Sequence, residues 1–218
     1  MAPKFSEHVV FATVTDSAPA GLLEELSKAA KKYERTEGVL SFNVGYAEPV
    51  FGNSSFVSHI RGTNDAALDS VIAKFHTDPS LGPNITDHLG QRLALRFQAQ
   101  PVGSAQPNFP CFRFGLLKYK DGITPKEINE AKEVFHSLPS KFPQIKQVNI
   151  GENYTADTVP QDGMAPEQGY DLGLVIGFSS VEDLKVLTSQ SNSEYMATMM
   201  STLPKFEQVK VSNMVHCG

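Results

Sequence analysis

The chain repeats itself, and that restricts its fold more than any other feature. A strand-like run at 8–14 opens the first half, and a similar one at 111–119 opens the second. Each is followed by apolar residues at helical spacing. In the first half these are Leu22, Leu23, Leu26, Ala29, Ala30 and Tyr33; in the second, Ile128, Ala131, Val134, Phe135 and Leu138. Ser17 is the expected cap of the first helix. Thr124-Pro125-Lys126-Glu127 gives the second a cap, a proline at its first position and a capping-box glutamate. The closest internal match comes next: 38–45 lies over 143–151, with apolar residues alternating up to a closing glycine. Third strands are predicted at 56–63 and 170–178. Helical segments are predicted at 65–75 and 83–93, and again at 181–188 and 193–203. Last strands are predicted at 95–100 and 206–215.

This β-α-β-β-α-β order, met twice, predicts an α+β fold of two ferredoxin-like repeats, each an antiparallel sheet with helices on one face. A single such sheet leaves an apolar face open. Two in one chain cover it by packing sheet against sheet, which predicts an intramolecular α+β barrel. The expected repeats are 1–102 and 108–218, joined by Gly103-Ser104-Ala105-Gln106-Pro107. Residues 155–169 form the longest expected loop, of a length often found in functional lids.

Composition narrows the function classes. Of 218 residues, 19 are Lys or Arg and 24 are Asp or Glu, a net charge of −5. There is no basic surplus to neutralise nucleic-acid phosphates. No apolar run reaches the ~18 residues of a membrane helix. The first eight residues lack the charged and apolar regions of an export signal, and two cysteines fit a reducing compartment, so the expectation is cytoplasmic. No metal-ligand spacing is present, so neither metal nor organic cofactor is signalled.

Several motifs carry a family resemblance: 114–124, Val148-Asn149-Ile150-Gly151-Glu152-Asn153, and 176–184. With the element order, they resemble the stress-responsive A/B barrel family of the dimeric α+β barrel superfamily. The likeness is stronger over 110–216 than over 6–101. That family normally builds its barrel from two subunits, so a tandem copy implies a barrel within one chain. A homodimer of the full chain stays open.

The resemblance implies a range of activities. Members include heat-stable plant proteins and cofactor-free, olivetolic acid cyclase-like polyketide cyclases; the superfamily adds cofactor-free monooxygenases. In the cyclases a His on the first strand and one on the third line a pocket between sheet and helices. His8 and His59 fall at those positions. The cyclase tyrosine falls near Lys74 or Phe75, and its catalytic histidine near Leu81, with His76 the nearest replacement. In the second half the four positions hold Arg113, Leu172, Leu187 and Ser193.

The residues support a similar chemistry without the resemblance. Strand alternation puts His59 and Arg61 on one face. An imidazole moves protons near neutral pH, and a guanidinium holds a developing enolate or carboxylate. The expected site is a first-half pocket facing the helices, with His59, His8 and His76 catalytic. Arg61, Tyr46, Arg113 and Tyr170 are the expected substrate-binding residues. The expected ligand is a small hydrophobic or anionic molecule. The reaction classes are proton-transfer cyclisation, isomerisation, dehydration or lysis. A non-catalytic ligand-binding barrel and a cofactor-free monooxygenase are the alternatives.

Overall fold

A computed structural model describes residues 4–47, 55–78, 88–154, 170–189 and 192–216. The first half runs β1 (Phe5–Val14), α1 (Leu22–Tyr33), β2 (Val39–Ala47), β3 (Ser55–Gly62), α2 (Asp65–His76) and β4 (Leu89–Ala99). A two-residue strand, β5 (Val102–Gly103), leads into the second half. There, β6 (Cys111–Tyr119), α3 (Pro125–Lys141), β7 (Ile145–Glu152), β8 (Leu172–Phe178), α4 (Val181–Thr188), α5 (Ser193–Thr202) and β9 (Phe206–His216) come in turn.

Two local expectations change. The segment 83–93 does not continue as a helix: residues 79–87 lie outside the described residues, and β4 already begins at Leu89. Residues 93–97 are all buried, Leu93, Leu95, Phe97 and Ala99 pack on one face at every second position, and β4 pairs along β1. The cap of α1 is not Ser17 but Gly21, whose left-handed φ of 88° reverses the chain without a side-chain hydrogen bond. The second helix starts as its sequence indicates. The Thr124 hydroxyl accepts from the Glu127 amide, and the Glu127 carboxylate accepts from the Thr124 amide.

The strands form one sheet in the order β4-β1-β3-β2-β9-β6-β8-β7-β5. The halves join where Tyr46 pairs with Val215 on β9. The far edges, β4 and β7, meet as well. The Tyr154 amide donates to the Arg96 carbonyl at 2.9 Å, and the Arg96 amide donates to the Asn153 side chain at 3.1 Å. Gly151 lies so close to the Gln98 carbonyl that a Cβ there would collide with it. The two α+β repeats therefore curl into an intramolecular barrel with helices outside.

Three apolar clusters result from this arrangement. One lies under α1 and α2 around Leu26, Phe42, Ile60 and Leu68, and one under α3, α4 and α5 around Phe135, Ile176 and Leu187. The third fills the barrel between the sheets, with Phe11, Phe97, Phe112 and Phe114 all fully buried. Phe11 and Phe114 meet edge to face across the halves, centroids 5.8 Å apart. Each such ring contributes about 1.5–3 kcal/mol by burial, so neither sheet is complete without the other.

We propose that 1–102 and 108–218 are the repeat units, and expect the fragment 1–102 to aggregate or self-dimerise. A monodisperse monomer of that fragment in sedimentation would argue against mutual covering. Gly151→Ala should destabilise the full chain by about 1–3 kcal/mol in urea unfolding, since the obstructing atom is backbone and cannot swing aside.

Candidate functional site

Strand register decides which polar residues meet. On β1 and β3, Glu7 stands opposite Arg61, His8 opposite Ile60, and Val9 opposite His59. Side chains alternate, so Glu7, His59 and Arg61 share the face with Val57 and Phe11 that looks into the barrel. His8 shares the opposite face with Ile60 and looks at the helices. The expectation that His8, His59 and Arg61 line one helix-facing pocket is therefore corrected. A one-residue offset in pairing puts His8 on one side of the sheet and His59 with Arg61 on the other.

Inside the barrel, Glu7 is the hub. Its Oε2 accepts from His59 Nε2 at 2.7 Å, and its Oε1 accepts from Arg61 Nε at 2.8 Å. The same Oε1 accepts from Asn149 Nδ2 at 2.7 Å, a contact supplied by the second half. Glu7, His59, Arg61 and Asn149 all have no exposed surface. Arg61 Nη1 donates to the Pro107 carbonyl at 2.7 Å, and the guanidinium sits 5.1 Å from the Phe5 ring centroid. Gln147 Nε2 donates to the Gln106 carbonyl at 2.9 Å, and Asn43 Nδ2 donates to Asn108 Oδ1 at 2.9 Å. Phe112 and Phe114 flank the His59 ring at 4.9 and 5.3 Å.

These partners set the protonation states. Burial alone would raise the Glu7 carboxyl, but the Arg61 charge and the His59 hydrogen bond outweigh it and hold the group below its ordinary value. Burial lowers the His59 imidazole, and the Arg61 charge adds to that against the opposing pull of Glu7. At neutral pH the cluster is thus a carboxylate, a guanidinium and a neutral imidazole. With Glu7 accepting from Nε2, the His59 proton sits on Nε2 and its lone pair on Nδ1. Nδ1 has no hydrogen-bond partner among the described residues, and neither do Arg61 Nη2 and Asn149 Oδ1. Three buried polar atoms therefore have unused hydrogen-bonding capacity in one neighbourhood.

The other predicted residues lie elsewhere. His8 is buried on the helix side of β1, opposite Arg96, whose Nη1 donates to Asp69 at 2.7 Å. His76 is the last residue of α2, and its side chain lies outside the described residues. Tyr46 is 58% exposed beside the β2–β9 seam. Arg113 faces the second half's helices and donates from Nη1 to Asn213 at 2.8 Å. Tyr170 is buried inside the barrel, its hydroxyl 3.3 Å from Gln208 Oε1. The expected lid at 155–169 lies outside the described residues. The hydrogen bonds of Glu7 thus go to two residues expected in the site, His59 and Arg61, and to one that was not, Asn149.

Glu7, Asn149 and Pro107 were not among the expected site residues. Glu7 had a signal: a carboxylate two residues before Val9 and four before Phe11, on the buried side of a strand. Asn149 had none, because alternation with Val148 and Ile150 reads equally as a solvent-facing polar row. Among the described residues no group of three His, Cys, Asp or Glu could hold a metal ion. No helix among them is long and apolar enough to cross a membrane.

The family model for the stress responsive A/B barrel domain matches residues 112–214. The second half is a stress responsive A/B barrel domain. The first half repeats its architecture around the same barrel. Among curated proteins nothing matches the chain in sequence. Solved structures match its whole length in shape. A candidate monooxygenase from Fusobacterium nucleatum superposes with a TM-score of 0.66 at 11% identity, covering 100% of this chain and 94% of that one. A candidate monooxygenase from Lactobacillus acidophilus gives 0.63 at 14% identity, covering 97% and 93%. An anthrone oxidase-like protein gives 0.59 at 12% identity, covering 100% and 94%. At such identities the likeness shows the fold alone, an α+β barrel within one chain.

The buried cluster predicts a direction of pH dependence. His59 and Glu7 both have folded-state values below their unfolded ones, so the unfolded chain binds more protons during acidification. The stabilisation is complete above about pH 6.5 for His59 and about pH 4.5 for Glu7, and is lost as pH falls below each. The urea midpoint should therefore drop between pH 7.5 and 5.5, and His59→Gln should flatten that drop. Glu7→Gln leaves a buried guanidinium unpaired and should cost about 3–5 kcal/mol at pH 7.5. A midpoint unchanged by Glu7→Gln would show that the hub carries no stability.

Proposed function

We propose that this protein is a small-molecule enzyme whose chemical step is removal of a proton from a carbon acidified by a conjugated carbonyl, with His59 as the base. The observation that carries the reading is the His59 imidazole itself. One nitrogen is held by a buried carboxylate, and the other is a lone pair without a partner among the described residues, beside two aromatic rings. A base needs that arrangement: a fixed tautomer, a free lone pair and a site that excludes water. Glu7 is the positioning residue. It holds Nε2–H in place and stabilises the imidazolium once Nδ1 has taken the proton.

Proton abstraction is the step that cyclisation, isomerisation and cofactor-free oxygenation share. The product is decided by the enolate's next partner. The structural neighbours named as candidate monooxygenases and as anthrone oxidase-like support oxygen as that partner. They support a small molecule as the ligand too. The fold also suits a cyclase or lyase, for which the enolate attacks or expels a group within the substrate.

The second reading is a non-catalytic barrel, and one observation favours it: neither His59 nor Arg61 has any exposed surface. In that reading the polar cluster only holds the two halves in register.

Anthrone, a planar ketone with an acidic methylene, separates the two readings. In deuterated buffer without oxygen, the purified protein should speed deuterium exchange at that methylene. His59→Gln should slow the catalysed exchange by about 10²–10⁴-fold with its circular dichroism unchanged. Equal exchange by the folded variant would remove His59 from the chemistry. Oxygen uptake on admitting air would assign the oxygenase branch; none, with exchange intact, would leave the cyclase or lyase branch.

A further inference from the structure

We propose that the connection 104–109 is a removable cap over Arg61, and that the group which takes its place is the neutral carbonyl oxygen of a planar ketone. The proposal rests on the reading of His59 as base. It adds where the substrate's oxygen goes and how the substrate enters.

The cap is visible in the contacts. Pro107 is exposed on its outer side, while its carbonyl turns inward to accept from Arg61 Nη1 at 2.7 Å and from the Ser41 hydroxyl at 3.3 Å. Arg61 has no exposed surface of its own, so one layer of peptide separates it from solvent here. Residues 104–110 belong to neither helix nor strand. The cap is fastened by side chains from both halves: Asn43 to Asn108, and Gln147 to the Gln106 carbonyl. Phe109 anchors its end, filling the space beside Gly177 and meeting Phe112, which in turn meets His59. Lifting 105–108, with the Ser104 amide still donating to the Lys146 carbonyl of β7 at 2.7 Å, would therefore open a path to Arg61 and His59 without parting any strand pair.

Charge selects the ligand. Glu7 and Arg61 cancel, and His59 is neutral, so an entering anion would find no compensating charge. A neutral carbonyl reproduces what Pro107 already provides. It would accept from Nη1, and Nη2, unpartnered among the described residues, offers a second donor. When the C–H bond breaks, the proton bonds to His59 Nδ1 and the electron pair moves through the carbon onto oxygen. The enolate then sits against Arg61 and the imidazolium against Glu7, so the total charge is unchanged. The flanking rings of Phe112 and Phe114 suit a flat aromatic body.

The test uses the full chain and needs no turnover. Diethyl pyrocarbonate modification of His59, tracked by peptide mass spectrometry, reports opening of the cap. Asn108→Ala removes one fastening, and Pro107→Gly frees the backbone at the capping carbonyl. Each should speed His59 modification roughly two- to tenfold, the effect of one net hydrogen bond for Asn108→Ala and of a freer backbone for Pro107→Gly, with His8 unaffected. In both variants fluorenone should slow the reaction, and fluorene, the same rings without the carbonyl, should not. Equal His59 rates in wild type and variants would overturn the cap, as would a parallel rise at His8. Protection by fluorene equal to that by fluorenone would overturn the carbonyl subsite. Anthrone exchange that fails while these results hold would instead sink the base and leave the cap standing.

Discussion

A single buried carboxylate ties the two halves together inside the barrel. Glu7 brings a histidine and an arginine from its own half, and an asparagine from the other, onto two oxygens. None of the four is exposed, so each contact is made in a medium of low dielectric, where a missing partner is costly. A buried ion pair is poor evidence of net stability, because desolvation offsets most of the attraction. What the hub supplies is position. Asn149 reaches Glu7 only if the sheets approach in one register, so the contact selects that register over others of similar apolar packing.

The duplication explains why the cluster stands in one copy and not in the other. In the first half, β3 places Val57, His59 and Arg61 opposite Gly45, Asn43 and Ser41 of β2. In the second, β8 places Gly173, Val175 and Gly177 opposite Gly151, Asn149 and Gln147 of β7. His59 thus corresponds to Val175, three residues beyond the Leu172 that the third-strand comparison expects, and Arg61 to Gly177. Across the neighbouring pair, Glu7 faces Arg61 and Phe112 faces Gly177, so Phe112 stands where Glu7 would. The second copy has exchanged its polar trio for an aromatic ring, a small aliphatic and a glycine. Phe109 occupies the room that glycine leaves. The two copies thus differ inside the barrel, where the site expected under the helices of the first half has its His59 and Arg61.

The fold was legible because it is written in periodicities. Two helical stripes, a capping box at Thr124 and strands of alternating Val, Leu and Phe determine the elements one by one. Repetition then requires the sheets to face each other. The site was legible in its chemistry and not in its geometry. His59 and Arg61 share a face because they are two apart. Whether His8 joins them depends on a strand-to-strand offset set about 50 residues away, and no local signal states that offset. Asn149 and Pro107 were illegible for another reason. Their parts in the site arise from contact between halves, after both have folded.

The same enclosure bears on structure and on chemistry, and the two demands meet at His59. A barrel interior can hold a carboxylate and a guanidinium together because they cancel, and it can hold an imidazole because burial keeps it neutral. A neutral imidazole with its tautomer set by Glu7 is also one whose lone pair has no partner among the described residues. Were the cluster only glue, the cheapest cluster would satisfy every polar atom, and the second half shows that this position tolerates valine and glycine. Instead the first half keeps three polar groups, and His59 Nδ1, Arg61 Nη2 and, from the second half, Asn149 Oδ1 have no partners among the described residues. Burying unsatisfied polar atoms costs about 1–3 kcal/mol each, and for His59 and Arg61 an apolar alternative stands in the sister copy. A binding role for those three atoms accounts for a cost that packing alone would have removed.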